Sequence, residues 1–245
     1  MPTDDLALAL ELADLADAVS LQRFGARDLR VTTKADASPV TDADHAVEQA
    51  LRDRLAAERP RDGVLGEEHG SREGGARWVL DPIDGTRNFA RGVPVWATLI
   101  ALERDGVAVC GVVSAPALGR RWWAERGGGS FCDGRAIRVS GTGELSQAAV
   151  SCAHGADLAA LEPLVWHARG FGDFWHHMLV AQGSLDAAVD AALSHWDVAA
   201  VVPIVEEAGG RVSGPDGAPV AAGRQVITSN GRLHDAVLAR IPRAV

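Results

Sequence analysis

The sequence predicts an α+β fold that passes into an α/β one, and two changes of rhythm carry that reading. Across residues 95–103, 107–114, 121–125 and 136–139 short apolar stretches succeed one another without a helical period, and Asp105-Gly106 and Asp133-Gly134 supply tight turns between them. That pattern is an antiparallel meander. After about residue 140, strand-like and helix-like stretches alternate instead. Two layered subdomains follow, residues 1–140 of α+β type and residues 141–245 of α/β type, with no repeat and no low-complexity linker between them.

Taken in order, residues 4–24 form a helix: Thr3 caps it, Asp4 and Asp5 favour its first turn, and Gly25 stops it. Residues 29–33 form a short strand before a polar loop. Thr41 opens a second helix with Ala43, Ala46, Val47, Ala50, Leu51 and Leu55 on one face. A brief strand at 64–65 ends in Gly66-Glu67-Glu68, and another at 77–80 breaks off at Asp81-Pro82. Beyond the meander come a strand at 148–152, helices near 158–168 and 173–183, a strand at 185–190 and a helix at 196–208. Short strands and a last helix from about 231 complete the chain.

Bulk properties exclude several classes. The chain has 245 residues, 47% hydrophobic and 23% charged, as in ordinary globular proteins. No apolar run reaches the ~20 residues of a membrane span. The N-terminus is acidic and helical, unlike a secretion signal. Three scattered cysteines, at 110, 132 and 152, argue against a disulfide framework and for a reducing cytoplasm. A net charge of −9 argues against a nucleic-acid surface.

Carboxylates gather at element ends: Asp44, Glu67-Glu68, Asp81 with Asp84, and Asp197. Singly, each has an ordinary explanation. Thr41-x-x-Asp44 reads as a capping box, Glu67-Glu68 as a solvated turn, and Asp197 as a helix cap. The Asp81/Asp84 pair reads differently. Pro82 stiffens the turn, Gly85 lets backbone approach closely, and Thr86 can begin a helix. Two converging carboxylates followed by helix N-terminal N–H groups suit a divalent cation beside a phosphate.

Three stretches, VLGEEHG, DPIDGTRNF and HWDVAAVVPIVEEAGGR, with SPVTDADHAVE near the start, make the chain similar to the inositol monophosphatase family over nearly its whole length. GVPVWATLIAL, GVVSAPALGRRWWAERG and ARGFGDF resemble its bacterial histidinol-phosphatase branch. The resemblance implies a layered αβαβα fold, a homodimer, and Mg²⁺-dependent hydrolysis of a small-molecule phosphomonoester, with two to three ions per site and Mn²⁺ as an alternative. It implies that Glu67, Asp81 and the Ile83 carbonyl bind one ion, that Asp81, Asp84 and Asp197 bind a second, and that Glu67 supports a third. Gly85 and Thr86 would hold the phosphate, while Asp44 and Thr86 orient a metal-activated water for direct attack.

Four other features read as follows. Gly127-Gly128-Gly129-Ser130 is a hairpin loop, since no GK[ST] follows to make a phosphate loop. His176-His177 belongs to a surface or a pocket lining, because adjacent residues point to different helix faces. Trp122-Trp123 gives one ring to the core and leaves one partly covered, at a candidate dimer contact. Lys34, the only lysine, lies in a loop near Asp44 and thus near the phosphate or metal site. Arg169, Asp173 and Asp190 are the candidate substrate-selecting residues. Acidic groups beyond the phosphate end favour histidinol phosphate, which carries an ammonium, over inositol phosphate, which carries none. The alternatives are an inositol-1-phosphate or broad sugar-phosphate phosphatase, and a metal-binding regulatory protein without catalysis.

Overall fold

The computed structural model describes residues 3–242. Helix α1 (Asp4–Arg23) starts where the Thr3 side chain accepts the Leu6 N–H. A hairpin of β1 (Val31–Thr33) and β2 (Pro39–Thr41) leads into α2 (Asp42–Glu58). Then follow β3 (Gly63–Gly66), β4 (Gly70–Arg72), β5 (Arg77–Asp84), the short α3 (Thr86–Ala90), β6 (Ala97–Arg104), β7 (Val107–Ala115), β8 (Arg120–Glu125), β9 (Gly129–Cys132) and β10 (Arg135–Ala136). The second half holds β11 (Ala149–Cys152), α4 (Gly155–Leu161), β12 (His167–Arg169), α5 (Asp173–Ala181), β13 (Ala187–Leu193), α6 (His195–Ala199), α7 (Val201–Glu207), β14 (Arg211–Ser213), β15 (Arg224–Ser229) and α8 (His234–Leu238).

Two sheets organise these elements. An eight-stranded sheet runs β10-β9-β8-β7-β6-β5-β3-β4 and is antiparallel except where β3 lies parallel to β5. A five-stranded mixed sheet runs β12-β11-β13-β15-β14. Helices α1 and α2 cover one face of the large sheet with Leu12, Leu51 and Leu55 against Trp78, Leu80 and Ile100. Helices α5 and α7 fill the space between the sheets, with Phe174, Met178, Val201 and Ile204 against Leu99, Val113 and Trp122. Helices α4 and α8 close the outer face of the small sheet through Leu161 and Val237. The result is an αβαβα sandwich.

Several elements depart from the sequence reading for local reasons. β5 continues through Asp81-Pro82 to Asp84 instead of breaking off. The helix placed at 158–168 stops at Leu161. Pro163 cannot continue it, and His167–Arg169 instead adds a parallel edge strand to β11. The helix at 196–208 is divided at Ala200, with Pro203 in the first turn of α7. Ser130 lies within β9, just past the Gly127-Gly128 turn. On α2, Ala46 faces solvent, whereas Asp44 and Glu48 are buried with Val47 and Leu51. Trp122 is fully buried, while Trp123 is half-covered and stacks on Phe131. The three cysteines are buried and unpaired, and burial pushes the thiols of Cys110 and Cys152 up to about 12.

The contact between β7 and α7 needs a glycine. A Cβ on Gly111 would lie 2.5 Å from the Ala200 carbonyl oxygen and 2.9 Å from a Pro203 ring carbon. Gly111→Ala therefore overpacks the middle layer and destabilises the fold by about 1–3 kcal/mol. Thermal unfolding should show a midpoint roughly 2–4 °C lower for each kcal/mol. Gly155→Ala is the control: a Cβ there meets nothing within 4 Å, so its midpoint should hold or rise.

Candidate active site

The site begins with a bulge in β5. Asp81 pairs with Leu99 and Asp84 with Ala97, so three steps on β5 face two on β6. In a regular strand residues three apart point to opposite faces. The extra residue brings Asp81 and Asp84 to the same side. Pro82 has no N–H to lose, and the Thr98 hydroxyl donates to its carbonyl at 2.8 Å. The Ile83 side chain goes the other way, into an aromatic cluster with Phe89 and Trp96, whose rings meet edge-on with centroids 4.9 Å apart. Gly85 then takes φ +84°, which favours glycine, and a Cβ there would sit 3.1 Å from the Val95 carbonyl oxygen. Thr86 opens α3.

The Thr41–Asp44 capping box exists, while Asp197 is not itself the cap of its helix but the third residue of a box capped by Ser194; both acids are part of the acidic site. Asp44 Oδ2 accepts from Thr41 N at 2.9 Å and Thr41 Oγ1 at 2.5 Å, completing a capping box. Its other oxygen, Oδ1, lies 3.1 Å from Thr86 Oγ1, which also lies 2.9 Å from the Ile83 carbonyl oxygen. Asp197 Oδ2 accepts from Ser194 N at 2.7 Å in the box that opens α6. Carboxylate oxygens of Asp81, Asp84 and Asp197 lie within 4.8 Å of one another. Asp84 also accepts from the Phe174 N–H at the start of α5.

Glu67 is held by residues that the sequence reading did not single out. Glu48, fully buried on α2, accepts the N–H groups of Glu68 at 2.7 Å and His69 at 3.1 Å, and pairs with Arg52 at 2.7 Å. A charge on the apolar face of α2, four residues after Asp44, is the signal that could have found it. The Lys34 ammonium lies 2.6 Å from both Glu67 and Glu68, so the lone lysine does sit at the acidic site. Burial opposes its charge, but the two glutamates raise its pKa above the usual range.

These acids resist ionisation together. Burial, then the charges of Glu67, Asp84 and Asp197, hold the Asp81 carboxyl well above its ordinary pKa. Burial and Asp173 do the same to Asp84. Asp197 is pushed up to about 7, chiefly by burial. Burial likewise raises Asp44 and Glu67. Asp81 Oδ1 is buried without a hydrogen-bond partner. Crowded hard oxygens with an orphaned one among them are what a small divalent cation takes up, so Asp81, Asp84, Asp197 and Glu67 could hold magnesium.

A cleft of about 470 Å³ opens beside this cluster. Glu67, Asp84, Gly85, Thr86 and Asp197 line it, together with Asp173, His177 and Asp190, and Asp173 lies beside the Gly85 turn. Asp173, at φ +51°, accepts from Asn88 Nδ2 at 3.3 Å. Burial raises its pKa, with the charge of Asp190 adding to the effect. Burial also works on Asp190, but His176 and His177 hold its carboxyl below the ordinary value. Arg169 does not join them: it is exposed at the end of the edge strand β12, and Gly170–Gly172 turn the chain before Asp173. His176 and His177 are buried, not on a surface, because α5 is enclosed between the two sheets. Their rings lie 4.3 Å apart and converge on Asp190.

The chain is 50% identical to histidinol-phosphatase of Mycobacterium tuberculosis, with 98% of this chain and 99% of that one covered. It is 37% identical to an inositol-1-monophosphatase of Mesorhizobium japonicum over 85% of this chain and 87% of the other. The extragenic suppressor protein SuhB of Bartonella henselae superposes with a TM-score of 0.92 at 28% identity, covering 99% of this chain and 100% of that one. An acidic cleft in this sandwich, in a chain similar to relatives named as phosphatases, defines a metal-dependent phosphomonoesterase. The family model for inositol monophosphatases matches residues 2–245, and the chain belongs to that family.

The raised acids set a pH dependence. Their folded pKa values exceed the unfolded ones, so the metal-free native state keeps protons that the unfolded chain releases. Its stability therefore falls as pH rises from about 4 and on through about 7, where Asp197 loses its proton. Magnesium should raise the melting midpoint, and by more near pH ~8 than near pH ~5. Calorimetric scans with and without the ion would show it, and an equal magnesium effect at both pH values would contradict the electrostatic account.

Proposed function

We propose that the chain hydrolyses L-histidinol phosphate to L-histidinol and phosphate, using magnesium, as a cytoplasmic homodimer of the kind the family resemblance implies. The observation that carries the substrate is the pair Asp173 and Asp190, two further carboxylates lining the same cleft as the metal-binding acids. Asp190 is ionised at neutral pH, since its pKa is lowered. An ammonium seated there meets negative charge, whereas a polyol would leave these carboxylates without a counter-charge. The high identity to a chain named histidinol-phosphatase supports the same reading.

Glu67, Asp81 and the Ile83 carbonyl would hold one ion, and Asp81, Asp84 and Asp197 a second, with Glu67 supporting a third. Their oxygens also suit Mn²⁺. Bound magnesium supplies positive charge to the phosphoryl oxygens and acidifies the attacking water. The chain's own groups position the reaction. Gly85 and Thr86 offer backbone N–H groups to the phosphate at the start of α3. Oδ2 of Asp44 is occupied by Thr41, which leaves Oδ1, beside the Thr86 hydroxyl, to orient the water and take its proton. Water attacks phosphorus, the P–O ester bond breaks, and the departing alkoxide takes a proton from solvent while Asp44 later returns its own to solvent, so protons balance. No covalent intermediate on the protein is needed.

Phosphate release from histidinol phosphate, inositol 1-phosphate and glycerol 2-phosphate tests the reading. Turnover should be greatest on histidinol phosphate, vanish with a chelator and return with magnesium. Equal or better turnover of inositol 1-phosphate would transfer the assignment to the polyol esters, and no turnover on any ester would leave a metal-binding protein without catalysis.

Asp173→Asn probes the amine end directly. It removes one charge-assisted hydrogen bond of roughly 1.5–3 kcal/mol. Efficiency on histidinol phosphate should fall about ten- to a hundredfold, since each 1.4 kcal/mol is a factor of ten. Efficiency on glycerol 2-phosphate should hold or rise. Parallel losses on both esters would assign Asp173 to the support of the cleft.

A further inference from the structure

A buried carboxylate outside the cleft joins the first sheet to the helix that carries Asp197. Glu103 on β6 is 4% exposed. Its Oε2 accepts from Arg77 Nε at 2.8 Å and Nη2 at 2.6 Å, across the rung where β5 and β6 pair. Its Oε1 lies 2.7 Å from Nε2 of His195, the first residue of α6. Burial opposes the charge of Glu103, but His195 and Arg77 hold its carboxyl below the ordinary value. An ionised carboxylate only accepts, so His195 Nε2 carries a proton and donates it to Glu103.

Helix chemistry does not call for this histidine. The start of a helix favours acidic or capping side chains, so His195 is explained by what its ring reaches. Neither Glu103 nor His195 lines the acidic cleft. Both line a separate cavity of about 300 Å³, with Val198, Ala199 and Val202. Helix α6 has only five residues and borders that cavity, so packing alone grips it incompletely. The Ser194–Asp197 box turns the carboxylate within one helical turn, but a contact internal to that turn cannot set where α6 sits on the sheet. Arg77, Val79 and Asp81 alternate to one face of β5, and Val79 belongs to the middle layer with Val198 and Ala199. His195 is thus anchored on the face from which Asp81 projects, and oxygens of Asp197, Asp81 and Asp84 come within 4.8 Å of one another there.

We propose that Glu103 is a positioning residue: by holding His195 it seats α6 on the first sheet so that Asp197 meets Asp81 and Asp84 around a magnesium ion. Glu103 touches neither substrate nor ion and acts only through His195. Arg77 keeps the carboxylate charged and aimed at the helix. This inference rests on the reading of Asp197 as a metal ligand and deepens it.

Calorimetric titration of the metal-free protein with magnesium tests it in three variants. His195→Phe keeps a ring and removes the donor. His195→Asn keeps an amide too short to reach Glu103. His195→Gln restores a donor at about the reach of ring Nε2. The dissociation constant is insensitive to the fraction of protein that folds, and either loss variant suffices should the other fail to fold. His195→Phe and His195→Asn should bind magnesium about tenfold more weakly than the wild type, and His195→Gln should recover most of that loss. A bridge that serves stability alone would lower the melting midpoint of the loss variants and leave their magnesium affinity unchanged, which overturns the proposal. An equal weakening in His195→Gln also overturns it, because the donor would then not be what matters. A wild-type protein that binds no magnesium removes the metal reading of Asp197, and the inference with it.

Discussion

The enclosed negative charge around Asp81 governs the architecture. Asp81 is 1% exposed and has Glu67, Asp84, Asp197 and Asp44 as charged neighbours. Carboxylates in such a place must be protonated, paired or bound to a cation, because an isolated buried charge is too costly to keep. Lys34 supplies part of the compensation from the β1–β2 hairpin by meeting Glu67 and Glu68. The remainder has no counter-charge among the described residues, so the site is organised for a ligand and not for stability alone. A fold that tolerates this arrangement must hold each acid by other means.

Those means are backbone devices at the ends of elements. The β5 bulge turns Asp81 and Asp84 to one side. Capping boxes fix Asp44 and Asp197 through one oxygen each and leave the second oxygen directed at the site. Glu48 grips the chain after Glu67 by two N–H groups. The aromatic cluster of Phe24, Phe89 and Trp96 seats the Ile83–Thr86 turn from behind. Helix capping is thus not an alternative to function for Asp44 and Asp197. The cap is what orients the carboxylate, and a carboxylate has oxygens enough for both tasks.

The second sheet and the helix it shares with the first supply the other half of the cleft. Helix α5 is packed on both sides, so its side chains are directed by Ser151 on β11, Thr228 on β15 and Asp190 on β13. That confinement makes two adjacent histidines converge on one carboxylate. It also gives the cleft one wall, across from Asp84 on the first sheet.

Much of this is legible in the chain itself. Thr3, Thr41 and the two Asp-Gly turns mark their elements because capping and positive φ are local properties, and Asp105, Gly106, Asp133 and Gly134 do adopt positive φ. The acids Asp44, Glu67, Asp81, Asp84 and Asp197 announce themselves by position at element ends and by their family resemblance. The tertiary structure alone decided that β5 runs through a bulge, that both histidines of α5 are buried, that Glu48 lies inside, and that Arg169 stays outside the cleft. Each of these depends on what packs across from the residue in space. A bulge is defined only against a partner strand, and burial only against a covering layer, so neither can be read from spacing along one chain.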